Sequence, residues 1–187
     1  MAELSMADKL RRTHFLGREF LTWLMFRSVK DEGVFRLDDG TACEVFFERA
    51  LTLDGDNPAR EMSTIKVDEP AISEEVMLSL RLGKKVSRAR LNVLVEDREY
   101  GFVLDGALLM RSIKLPDATA MDPVEVLGER AAFCRELEDV VQQVFLRFVR
   151  LRIDRKAWTR EAASIRRWLE PGPHFVDDVT DHGSATA

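Results

Sequence analysis

The sequence predicts an α+β fold: a mainly antiparallel sheet with an N-terminal helix, a short middle helix and a long C-terminal helix. Three observations predict it. Apolar residues recur at helical spacing near the start of the chain and again after Asp122. Between these stretches, runs with apolar and polar residues in alternation are bounded by turn signals, Asp38-Asp39-Gly40 and Asp105-Gly106 among them. The resulting order, helix, strands, helix, strands, long helix, is that of an α+β domain.

The first helix is expected over 7–30, where Leu10, Leu16, Phe20, Leu21, Leu24 and Met25 fall at helical spacing beside Trp23 and Phe26. Asp31-Glu32-Gly33 ends it, with Gly33 free to take the left-handed cap conformation. Strands follow over Val34–Leu37 and Cys43–Leu53, then over Glu61–Val67 after the loop Gly55-Asp56-Asn57-Pro58. Ser73 is placed to cap a short helix, Glu74 and Glu75 favour its positive end, Ile72 and Met77 stand at staple positions, and Gly83 closes it. Lys84–Val95 is expected as a strand with two unlike faces. Lys84, Arg88, Arg90 and Asn92 point one way, and Ala89, Leu91, Val93 and Val95 the other. Tyr100–Leu104, Asp105-Gly106 and Ala107–Leu115 read as a hairpin.

Asp122-Pro123-Val124-Glu125 is a capping box with proline at the first helical position. The long helix behind it runs to about Asp154, with Leu127, Ala131, Cys134, Leu137, Val141, Val144, Phe145 and Phe148 as its expected buried stripe. A further helix, or a continuation, covers 155–169 with an apolar edge of Trp158, Ala162, Ile165 and Leu169. Pro171-Gly172-Pro173 stops it, and the acidic tail 171–187 is expected to be disordered. The chain thus divides into a domain over 1–155, a basic amphipathic extension over 156–170 and the tail 171–187.

Composition bounds the function. The 187 residues fit one domain; 45% are hydrophobic and 33% charged, which suits a core and a soluble surface. No apolar run reaches the roughly 18 residues of a membrane span, and MAELSMADKLRR has no apolar signal-peptide core. A cytoplasmic, non-membrane protein is expected. Cys43 and Cys134 read as two buried free thiols, and His14, His174 and His182 are too scattered for a metal site. No P-loop, GxGxxG, HExxH or GxSxG occurs. Glu44 and Glu48, and separately Glu96, Asp97 and Glu99, are candidate nuclease carboxylates, but nothing ties the two groups into one metal-holding cleft. The chain is read as a non-enzyme without catalytic residues, metal, cofactor or small-molecule substrate.

The net charge is −5, so positive charge in this chain is placed rather than spread. Arg81, Lys84, Lys85, Arg88 and Arg90 follow one another with no acid among them. Cations at alternate positions of a strand stand about 6.6–7 Å apart, comparable to the phosphate spacing of a nucleic-acid strand. Such a stripe binds phosphates without reading bases, and its affinity falls with salt. A second cluster runs from Arg147 to Arg167, where Trp158 and Trp168 are candidates to stack on bases or to pack inward.

Four stretches resemble the C-terminal half of RdgC, the recombination-associated protein of bacteria. They are Phe15-Leu16-Gly17-Arg18-Glu19-Phe20-Leu21-Thr22-Trp23-Leu24; then Glu74-Glu75, Gly83-Lys84, Val86, Arg88 and Leu91; then Phe102, Leu109, Arg111, Lys114 and Asp117; and the helix Phe133–Phe148 with Glu136-Leu137-Glu138. The resemblance spans roughly 14–150. RdgC proteins bind duplex DNA with little sequence preference, form ring-shaped dimers around it in the nucleoid and restrain RecA-dependent strand exchange. The resemblance therefore implies a non-catalytic, sequence-independent DNA-binding protein associated with recombination. Lys84, Lys85, Arg88 and Arg90 would face DNA, with Arg111 and Lys114 extending the surface and Arg81 beside it. Double-stranded DNA is the expected partner, single-stranded DNA a further one, and self-association as a homodimer is implied. The sequence holds no counterpart of the N-terminal half that contributes to the RdgC ring, and the segment 150–187 has no counterpart in the family.

The alternative from a different class is a protein-interaction or assembly module that keeps the fold without binding DNA. Trp23, Phe26, Trp158 and Trp168 would be its anchors.

Overall fold

A computed structural model describes residues 14–55 and 62–170. The order of elements is α1 (Phe15–Lys30), β1 (Val34–Arg36), β2 (Ala42–Asp54), β3 (Ser63–Lys66), α2 (Glu74–Arg81), β4 (Lys85–Val95), β5 (Arg98–Asp105), β6 (Met110–Lys114), α3 (Pro123–Ile153) and α4 (Arg155–Leu169). The expected α+β class and antiparallel sheet are what the chain forms. The six strands order as β1-β2-β4-β5-β6, with β3 also on β2, and every pairing is antiparallel. The expected first-helix residues 7–13, the first residue of the expected third strand, Glu61, and the tail 171–187 lie outside the described residues.

One face of the sheet makes the core. Val45, Leu91, Val93, Phe102 and Leu104 meet Phe20 and Leu24 of α1 and Val140 and Val144 of α3. Trp23, Tyr100, Phe20, Phe102 and Phe148 are the largest side chains sealed inside. Each aromatic ring removes some 150–250 Å² of surface from water, so this cluster dominates the burial. Helix α1 can approach the sheet because Gly17 lies against the β5–β6 turn. A Cβ at Gly17 would collide with the Gly106 carbonyl oxygen.

Helix α4 forms an outer layer over α1 and α3. Glu161, 7% exposed, accepts hydrogen bonds from Trp23 Nε1 (2.8 Å) and Arg27 Nε (2.7 Å). Trp168 packs on Phe26 and Trp158 on Phe148. Trp23 and Phe26 are each only 2% exposed, so the four aromatic residues expected to anchor a partner instead hold α4 to the domain. The Asp154 carboxylate separates the two long helices by capping α4, accepting from the backbone N–H of Lys156 and Ala157.

Three expectations are corrected. The apolar stripe of α3 does not start at Leu127: Leu127 is 69% exposed and Ala131 is exposed, and the buried residues are Leu137, Val140, Val144 and Phe148. The first turns of α3 carry no buried residue, and Leu137 is the first. Ser73 occupies the N-cap of α2 but its hydroxyl makes no cap bond, and its staple neighbour Ile72 stays 45% exposed. The alternation of β4 breaks near its start. Thr52 pairs with Arg88 and Leu53 with Val86, leaving Ser87 as an extra residue. The bulge turns Val86 into the core, so Lys84 precedes the strand rather than sharing the face of Arg88.

Candidate nucleic-acid interface

The seven expected contact residues divide into two groups, and within β4 the Ser87 bulge separates Lys85 from Arg88 and Arg90. Three sit at the rim where β4 begins. Helix α2 ends in a Schellman motif: Gly83 has φ +89°, its N–H bonds the Leu80 carbonyl, and the Lys84 N–H bonds the Ser79 carbonyl. That cap delivers Lys84 and Lys85 beside α1 and β3. Lys84 Nζ donates to Ser63 Oγ at 2.5 Å. Lys85 Nζ reaches Glu19 at 3.2 Å and lies 4.4 Å from the centre of the Phe15 ring. Arg81, on the last turn of α2, donates from Nε to the carbonyl oxygen of Leu169 at the end of α4.

The remaining four lie on the sheet face away from the helices. Arg90 pairs with Glu48 at 2.7 Å and Arg111 with Asp105 at 3.5 Å. Arg88 stands opposite Asp105 in the β4–β5 register, and Lys114 opposite Gly101. Arg88 and Lys114 are exposed and form no ion pair among the described residues. Glu44 and Glu99 flank Leu94 on the same face, since Leu94 pairs with both. The open face is thus mixed in charge, and local carboxylates answer half of its cations.

The second basic cluster is arranged differently. The exposed residues of α4 are Arg155, Lys156, Thr159, Arg160, Ala163, Arg166 and Arg167, a single helical stripe. Five of them are cations, and none is in an ion pair among the described residues. The acid inside the helix, Glu161, is turned inward to Trp23 and Arg27. The stripe from Arg155 to Arg167 is about 18 Å long at 1.5 Å per residue. Trp158 and Trp168, the candidates for base stacking, pack inward, and Arg152 lies 4.7 Å over the Trp158 ring.

Glu19 joins the two clusters. Its carboxylate accepts from Lys85 Nζ on one oxygen and from Arg152 Nε, at 2.8 Å, on the other. The Arg81 bond to Leu169 makes a second link, so the rim cations and α4 lie on adjoining parts of the surface.

Arg18 is a buried positioning residue that composition and motif do not single out. It is 6% exposed and donates through Nη2 to the carbonyl oxygens of Asp54 and, at 3.0 Å, Gly55. A cation at helical spacing among apolar residues is the signal that could have found it. No group of three or more His, Cys, Asp or Glu side chains among the described residues could hold a metal ion. No helix there is long and apolar enough to cross a membrane. Cys43 is buried and Cys134 half-buried, both free; burial pushes the Cys43 thiol up to about 11.

In the comparisons with known proteins, no family model, no curated protein and no solved structure matches the chain.

Proposed function

We propose that this protein is a non-catalytic, sequence-independent DNA-binding protein associated with recombination, an RdgC-like modulator of strand exchange in the bacterial nucleoid. One observation carries the DNA-binding part: the outward face of α4 presents five cations without an acid, in a chain whose net charge is −5. Unpaired cations are the ones that gain most from phosphate, because no carboxylate must be displaced first. Lys84, Lys85 and Arg81 extend this surface at its rim, while Arg88, Arg90, Arg111 and Lys114 offer a second, partly neutralised one. Contacts from exposed cations to phosphates carry no sequence information, which supports binding without sequence preference. The recombination role and the bacterial nucleoid rest on the resemblance to RdgC.

The test separates the two surfaces. Arg155, Arg160 and Arg166 are changed together to Gln in one variant, and Arg88, Arg90 and Lys114 in another. The first variant binds DNA more weakly, and its salt slope falls by about 2.7, at about 0.9 for each phosphate no longer neutralised. The second changes less, because Arg90 is already paired to Glu48. Full affinity in both variants contradicts the proposal.

A second reading, the assembly module, has one observation of its own. Met121, just before α3, and Val124 and Leu127 on its first turns, at 98%, 76% and 69% exposure, place apolar surface at that end of the helix. Light scattering tests it: Leu127→Glu converts a dimer to monomer on this reading and leaves the mass unchanged otherwise.

A further inference from the structure

We propose that the flank of α3 facing strand β1 holds a binding cleft for a phosphate group. A cleft of about 210 Å³ opens there, floored by Phe35 and Val144 and walled by Gln143, Arg147 and Arg150. Gln143, Arg147 and Arg150 fall at helical spacings of four and three, so one side of α3 carries all of them. Arg36 also lines the cleft. The lining holds a single acid, Asp38, and neither Arg147 nor Arg150 has a carboxylate within ion-pair distance among the described residues. Two guanidinium groups on one helix flank repel each other unless an anion lies between them.

The donors suit a tetrahedral oxyanion. Each guanidinium offers a planar fork of N–H groups that matches two phosphate oxygens. The Gln143 amide is oriented by its own bond, with Oε1 accepting from the Asp38 backbone N–H at 2.7 Å, which leaves its NH2 group as a further donor. The positive charge of Arg147 is felt at the buried Cys43 thiol, where it works against the effect of burial. Cys43 lies opposite Phe35, which floors the cleft, in the β1–β2 register. The volume lies below the roughly 300–1,000 Å³ of drug-sized sites. It is several times the about 30 Å³ share of a water molecule, so it accommodates one phosphate and a fragment of its ester.

None of the residues lining the cleft belongs to α4, and phosphate alone is the probe. The full chain is titrated with sodium phosphate at constant ionic strength, against chloride, while nitrogen-edited NMR follows the arginine Nε–H signals. Melting temperature is unsuited to this, because phosphate raises it by exclusion from the surface without binding. The expected result is saturable movement of the Arg147 and Arg150 signals with phosphate and not with chloride. In R147Q/R150Q the affinity falls at least about tenfold, and R147K/R150K keeps the charge but loses the fork and falls by about half that much on a logarithmic scale. A response that does not saturate, that chloride reproduces, or that R147Q/R150Q retains overturns the proposal. A short duplex added to the phosphate complex identifies the source. Displacement of phosphate assigns the cleft to a DNA backbone phosphate, and its retention assigns it to a phosphate-bearing small molecule. If duplex fails to bind at all while phosphate saturates, the DNA-binding reading fails and the cleft stands.

Discussion

Tyr100 is the single tyrosine of the chain, is fully buried and donates its hydroxyl hydrogen to Glu136. Burial, and then the Glu136 carboxylate, raise its pKa well above the ordinary value of 10. Only the protonated hydroxyl can donate to Glu136, so the folded state holds this proton more tightly than the unfolded state. Stability therefore falls as pH rises above about 10, the unfolded value. Absorbance titration should show no native tyrosinate at pH values where free tyrosine is half ionised; a normal titration curve would refute the burial of this group. Glycines give a paired test. Gly17→Ala drives a methyl group into the Gly106 backbone and costs about 3 kcal/mol or more, since no flexible side chain can yield. Gly128→Ala meets open space on the exposed start of α3 and stabilises by about 0.5–1 kcal/mol. Urea unfolding of the two variants reads both signs.

At the scale of elements, α4 depends on one buried polar node. Removing the Glu161 carboxylate leaves Trp23 Nε1 without its acceptor and Arg27 with Asp31 alone. Glu161→Ala is expected to cost about 2–3 kcal/mol and to expose tryptophan, seen as a red-shifted emission; a loss under about 0.5 kcal/mol would show that α4 is held by its aromatic contacts alone. This node marks the limit of what was legible in the sequence. The apolar edge of α4 could be read from Trp158, Ile165 and Leu169, but Glu161 lies on the same edge and its partner Arg27 is remote in the chain. Helix and strand existence followed from period, as the alternation of Ala89 to Val95 shows. The bulge did not, because Ser87 is a small polar residue at either parity and the register is set by Thr52 and Leu53 on β2. Periodicity likewise carried the α3 stripe to Leu127, since a helix has the same spacing whether or not a sheet lies beneath it. The candidate site was legible as two basic runs; which cations keep free charge was not, because Glu48 and Asp105 come to Arg90 and Arg111 only through strand pairing.

At the scale of the molecule, an acidic chain is proposed to meet an acidic polymer. Long-range attraction cannot supply this, so binding must rest on a local field, which decays over about 8–10 Å at physiological salt. The α4 face meets that condition better than the open sheet face, where strands of opposite charge neighbour one another. Fluorescence anisotropy of a labelled random-sequence duplex, titrated at two salt concentrations, tests this most directly. With five phosphates neutralised the slope of log affinity against log salt is about −4.5, so raising salt from about 50 to about 200 mM weakens binding roughly 500-fold. Binding of that steepness, equal for unrelated sequences, is the predicted result. No binding at the lower salt, or an affinity indifferent to salt, would contradict the account.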